Sequence, residues 1–243
     1  MTTVAVLVDP PRSRLLPQLA DSSSLSESAV RDCYAALARD TVSAVARSGG
    51  ELLVNYRPYE GLGVDGDDAE ADVREMLGDA VPSDARFEKQ VGETYAGRAG
   101  NTATYLLETE EVSSVGIVDP RAALLARAQI DGAAMKLRSC DVVVGPGTDG
   151  RVYYAAFGEP INFEDAYAAP AVRTLTDRAL DAGLDVDFLE LLPVVETERD
   201  LAGTVALVRS RRRADRLVPP HLSAWIDESG VDARAGDEGL ELV

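Results

Sequence analysis

Residues 140–157 read CDVVVGPGTDGRVYYAAF, two apolar runs held apart by a glycine-rich bend. The first run, 142–144, has the composition of a buried strand and stops at Gly145-Pro146-Gly147. The second resumes at Val152 and continues to Phe157. Between them stands Asp149, with Gly150 behind it. A plain hairpin needs the glycines but not the acid. Two readings of Asp149 stay open. It caps its own turn as an Asx residue, or it is a catalytic carboxylate, fixed at the sheet edge to hold a substrate hydroxyl or take its proton.

Outward from this stretch, strand-like and helix-like runs alternate. Val4 to Val8 and ELLVNY (51–56) read as strands, a weaker one surrounds Phe87, and VSSVGIV (112–118) and DVDFLEL (185–191) follow. Ser24-Leu25-Ser26-Glu27 has the spacing of a capping box ahead of a helix that ends at Gly49-Gly50. Further helices are expected up to about Gly78, over about 93–110, after Pro120 to Ser139, from Pro170 to Gly183, and from about 198 and 221. Such alternation predicts βαβ units around a mostly parallel sheet, an α/β three-layer sandwich. With no repeat and no long linker, one domain spanning 1–243 is expected. Its first half, 1–145, would bind nucleotide, 146–208 would face the acceptor, and 209–243 would form a C-terminal helical extension.

Composition narrows the partners. The 243 residues are 46% apolar and carry a formal charge of −18, with Lys89 and Lys136 the only lysines. A field this negative disfavours nucleic acid and anionic membranes. An acidic surface adapted to high salt, a halophilic protein, accounts for it, because screening removes the self-repulsion. The arginine cluster RSRRRADR (209–216) reads as a helix face paired with the protein's own acids. No apolar stretch reaches the ~18 residues of a membrane span, and TTVAVLV lacks the marks of a leader, so a cytoplasmic location is expected. Cys33 and Cys140 have no metal spacing and read as reduced thiols; His221 lacks partners for a zinc site or a triad.

Ligands of open α/β sheets bind beyond the carboxyl ends of the strands, which selects the loops 9–16, 119–121, 146–150 and 193–197. In DPPRSRLLPQL, Arg12 and Arg14 flank Ser13, and two guanidinium forks so spaced can hold a diphosphate. The loop is not a P-loop.

Taken together, CDVVVGPGTDGRVYYAAF and AYAAPAVRTLTDRALDAGLDVDFLELLPVVETERDL resemble the later half of the glycosyltransferase-A-like family of nucleotide-diphospho-sugar transferases. Arg12-Ser13-Arg14-Leu15 resembles that family's Lys-Thr-Arg-Leu, and QVGETYAGRAG (90–100) its Gln/Gly/Arg segment. The resemblance implies the nucleotide-diphospho-sugar transferase fold, a nucleotide or sugar-nucleotide ligand at Arg12, Ser13 and Arg14, and an acidic loop for Mg²⁺ or Mn²⁺. That loop aligns with 116–122, where Asp119 stands one place off and Arg121 replaces the trailing acid. Asp119 and Glu196 are then the metal candidates. Alternatively Arg121 supplies the ion's positive charge and binding is metal-independent. The implied activity is nucleotide-sugar-dependent glycosyl transfer. A nucleotidyltransferase, and a non-catalytic nucleotide- or partner-binding protein, are the alternatives.

Overall fold

The computed structural model describes residues 2–60, 62–236 and 239–243. Strand β1 (Thr2–Val8) runs through its centre. Val4, Val6 and Val8 enter one apolar core while Ala5 and Leu7 enter another, so a continuous apolar run serves both faces of the sheet. On either side lie β2 (Glu51–Tyr56) and β4 (Ser114–Val118), both parallel to β1. The sheet has seven strands in the order β3-β2-β1-β4-β6-β5-β7. The expected weak strand is β3 (Arg86–Lys89), parallel to β2. β5 (Val142–Pro146) and β6 (Val152–Phe157) pair antiparallel, β6 is also antiparallel to β4, and β7 (Val186–Phe188) is parallel to β5.

Helices cover both faces, and a short α1 (Pro17–Ser22) adds Leu19 to the first core. α2 (Glu27–Ala46), α3 (Ala69–Leu77), α5 (Arg127–Lys136), α7 (Glu198–Arg213) and α8 (Pro220–Ser229) contribute Leu37, Val73, Ile130, Val205 and Ile226 to the first core. α4 (Tyr95–Thr104) and α6 (Ala171–Asp181) put Ala99, Ala103, Leu175 and Ala179 into the second. This is the three-layer α/β sandwich with a mostly parallel sheet.

Several local expectations shift. α2 is capped by Ser26, whose Oγ accepts from Ala29 N at 3.2 Å, and not by a box starting at Ser24. Residues 121–126 are not helical. Ala122 bridges Val194, Leu124 has a φ of 69°, and α5 begins only where Gln129 Oε1 accepts from Ala126 N at 3.1 Å. The segment is a series of turns that buries Ala122 to Leu125. The helix expected over 93–110 is α4 followed by a single π turn, Tyr105–Thr109. The 209–243 extension is not wholly helical. After α8 it forms a hairpin, β8 (Ala233–Gly236) with β9 (Gly239–Leu242), tied to α7 where Leu242 N donates to Glu198 Oε1 at 3.1 Å. In the arginine cluster, Arg209 pairs with Asp232 and Arg212 with Asp227. Among the described residues, no helix is long and apolar enough to cross a membrane.

Candidate functional site

Strand order reverses between β1 and β4: the chain builds outward from β1 through β2 to β3, then returns to the other side. A crevice opens beyond the carboxyl ends of strands at such a point. Here it measures about 250 Å³, just below the range usual for ligand sites, is open to solvent, and is lined by Asp9, Arg14, Gln90, Tyr95, Arg98 and Arg121, among others.

Its floor is built by Gln90. That residue follows β3, is 5% exposed, and donates from Nε2 to Asn55 O at 2.6 Å and to Val8 O at 3.3 Å. With the amide nitrogen committed to the ends of β1 and β2, Oε1 must face the other way. It accepts from Arg98 Nε at 2.6 Å. Arg98 sits in the first turns of α4, which Thr94 caps by accepting from Gly97 N at 3.0 Å. The entry loop lies so tightly on this helix that a Cβ at Gly92 would come within 2.9 Å of the Gly97 backbone; its φ of 127° also demands glycine.

Arg98 is 8% exposed, and its Nη1 donates to Glu93 O at 2.9 Å. Among the described residues no carboxylate forms an ion pair with it, and its Nη2 makes no hydrogen bond. Burial, and then the Arg57 charge, hold its pKa below the ordinary arginine value. Burying a cation against neutral partners is costly unless an anion arrives. Beside it, Asp9 lies 3.8 Å from Arg57, and Tyr34 Oη from α2 accepts from Asp9 N at 2.8 Å. Burial pushes the Asp9 carboxyl above its ordinary range, opposed by Arg57 and Arg98. Tyr95 stacks edge-on against Tyr167 with ring centroids 4.9 Å apart. The Tyr167 hydroxyl is buried without a partner.

The residues singled out in the sequence divide into two groups. Arg14 lines the crevice, its Nη2 2.5 Å from Asp21 Oδ1. Arg12 does not line it; its Nε lies 2.9 Å from Asp72 Oδ2, on the side of α3. Ser13 turns its Oγ back onto Pro10 O at 2.7 Å. Asp119, Arg121 and Glu196 do come together. Arg121 gives four hydrogen bonds to Asp119, from its backbone N (2.9 Å), twice from Nε (3.0 Å each) and from Nη2 (2.6 Å). Its Nη1 reaches Glu196 Oε1 at 3.0 Å. Burial works against the Arg121 charge, but Asp119 and Glu196 more than offset it and raise the pKa.

Glu196 is also held by Arg151 at 2.5 Å and Gln18 at 3.1 Å. Arg151 continues the chain of ion pairs to Asp200 at 3.2 Å and Asp149 at 3.5 Å. Asp149 therefore joins the same charge network but at its exposed end, with the side chain 76% accessible. Its φ of 55° suits Asp or Asn, and Gly147 is needed because a Cβ there would meet Val194 at 2.6 Å.

Arg57, Gln90 and Arg98 were not picked out by the sequence-based loop rule. Gln90 and Arg98 do open and nearly close QVGETYAGRAG, the segment resembling the family's Gln/Gly/Arg stretch.

Such a sheet, with its crevice at the strand-order reversal, is the nucleotide-diphospho-sugar transferase fold. The chain is similar in structure to a protein of Desulfovibrio desulfuricans classed provisionally as a nucleotide-diphospho-sugar transferase, with a TM-score of 0.76 at 18% identity, covering 94% of this chain and 95% of that one. A cytidylyltransferase of Leptospira borgpetersenii matches at TM-score 0.53 and 8% identity over 94% of both chains. A CMP-2-keto-3-deoxy-manno-octonic acid synthetase complexed with CTP matches at TM-score 0.50 and 11% identity, over 86% of this chain and 99% of that one. No family model and no curated protein matches the sequence.

Proposed function

We propose that this chain is a transferase that binds a nucleotide sugar with its diphosphate in the β1–β4 crevice. The observation that carries this is Arg98, a buried guanidinium held only by neutral groups at the point where such folds place ligands. Phosphate oxygens satisfy its free donors, and Arg14 faces the same space. The fold likeness to a provisional sugar transferase and to a CTP-bound synthetase supports a nucleotide as the ligand class.

In this reading an acceptor hydroxyl attacks the anomeric carbon as the bond to the diphosphate oxygen breaks. The hydroxyl proton passes to the Asp149 carboxylate, at the exposed end of the ion-pair chain that runs through Arg151 and Glu196 to Arg121. The charge developing on the leaving diphosphate falls on Arg98, already oriented by Gln90 and Glu93, and on Arg14, which turns from Asp21 to reach it. Tyr95, braced edge-on by Tyr167, forms the wall beside the phosphates. The nucleotidyltransferase reading uses the same crevice but takes a nucleoside triphosphate.

A thermal-shift screen of nucleoside triphosphates, diphosphates and sugar nucleotides in molar KCl separates them. Sugar nucleotides should raise the unfolding midpoint of the parent and not of Arg98→Gln. A shift with triphosphates alone moves the assignment to nucleotidyl transfer. No shift with any of them leaves a non-catalytic protein whose ligand lies elsewhere.

A further inference from the structure

Nucleotide binding of this kind is expected to use a divalent ion between Asp119 and Glu196, and the side chains present do not fit one. Mg²⁺ and Mn²⁺ need carboxylate oxygens turned toward a common point at roughly 2.1 Å. Both oxygens of Asp119, only 4% exposed, accept from Arg121 instead. Both oxygens of Glu196 are taken as well, Oε1 by Arg121 and Gln18 and Oε2 by Arg151. The Arg121 guanidinium stands in the gap between the acids. Admitting an ion would require it to leave two carboxylates, one of them buried, and breaking such a pair is strongly unfavourable. Among the described residues no three His, Cys, Asp or Glu side chains gather as an alternative donor set.

We propose that the polyphosphate is bound by guanidinium groups without a divalent ion. Arg98 supplies a buried guanidinium that forms no ion pair among the described residues, and Arg14 a second fork. Arg57 adds to the field, since it already opposes the Arg98 charge. Arg121 serves as the fixed counter-ion of Asp119 and Glu196, a positioning residue that keeps both acids from repelling the phosphates. The inference rests on the nucleotide-binding reading above.

Calorimetric titration of the full chain with UDP and with CTP, first in excess EDTA and then in excess Mn²⁺, tests it. The dissociation constant should agree between the two buffers within about twofold, and Arg98→Gln should weaken it about tenfold or more in both. Mn²⁺ titrated alone should give no heat in the parent. Binding that appears only with Mn²⁺, and is lost in Asp119→Asn, overturns the inference while leaving nucleotide binding intact. Absence of binding in either buffer overturns both.

Discussion

Arg98 Nε donates to Gln90 Oε1 at 2.6 Å, and the Gln90 amide nitrogen is committed to Asn55 O and Val8 O. The amide can therefore only accept from Arg98; it cannot neutralise it. A charged group has been brought into the crevice by a frame that orients it, with no carboxylate in contact with it among the described residues.

The first prediction follows from that pairing. Charge-assisted hydrogen bonds are worth about 1.5–3 kcal/mol, so Arg98→Gln should weaken nucleotide binding tenfold or more. Because the substitution removes a buried cation that forms no ion pair, the ligand-free protein should melt close to the parent. Calorimetry and thermal unfolding check the two halves. A large drop in the midpoint with unchanged affinity would make Arg98 a structural residue.

The second concerns Asp9. Burial pushes its carboxyl above the ordinary 3.8, while Arg57 and Arg98 pull it down. A carboxyl whose folded value is raised stabilises the fold in its protonated form. That contribution is complete below 3.8 and is lost as pH rises through the folded value. Asp9→Asn should therefore melt above the parent at neutral pH, with the gap closing as pH falls toward about 4. Removing this negative charge should also tighten nucleotide binding. Weaker binding in the variant would show that Asp9 touches the ligand as an acceptor.

Much of this architecture is legible in the residues. The apolar runs at 4–8, 51–56, 112–118 and 142–157 mark the central strands, and the Gly-Pro-Gly bend marks the β5–β6 turn. The crevice is less so. β3 is four residues long, none of them fully buried, so the strand-end rule passes over the loop that delivers Gln90, and only the family resemblance of QVGETYAGRAG points to it. The Asp119–Pro120–Arg121 spacing is equally ambiguous. The same three residues can present an acid to a metal or, as found, fold the arginine back onto its neighbour. Side-chain direction, not composition, separates the two.

Asp149 gives a third prediction. Asn is compatible with its φ of 55°, so Asp149→Asn preserves the bend while removing the charge. Nucleotide affinity should stay within about twofold, and the turnover rate should fall by about a hundredfold or more if the carboxylate takes the acceptor proton. Steady-state kinetics decide the matter. Parent-like turnover would reduce Asp149 to a turn residue paired with Arg151.

The fourth concerns solvent. With a formal charge of −18 on 243 residues, like-charge repulsion should destabilise the fold in dilute buffer. Raising KCl to molar levels should lift the unfolding midpoint, because screening weakens that repulsion more than it weakens the exposed ion pairs. An unchanged midpoint would refute adaptation to high salt.

The central claim is that a nucleotide's phosphates meet Arg98 at the β1–β4 crevice. A crystal structure of the full chain grown with UDP in the presence of EDTA tests it most directly. The account predicts the diphosphate within hydrogen-bonding distance of Arg98 and Arg14, with Arg121 still joined to Asp119 and Glu196. A diphosphate bound away from Arg98, or one that reaches the crevice only through a cation on Asp119, would contradict it.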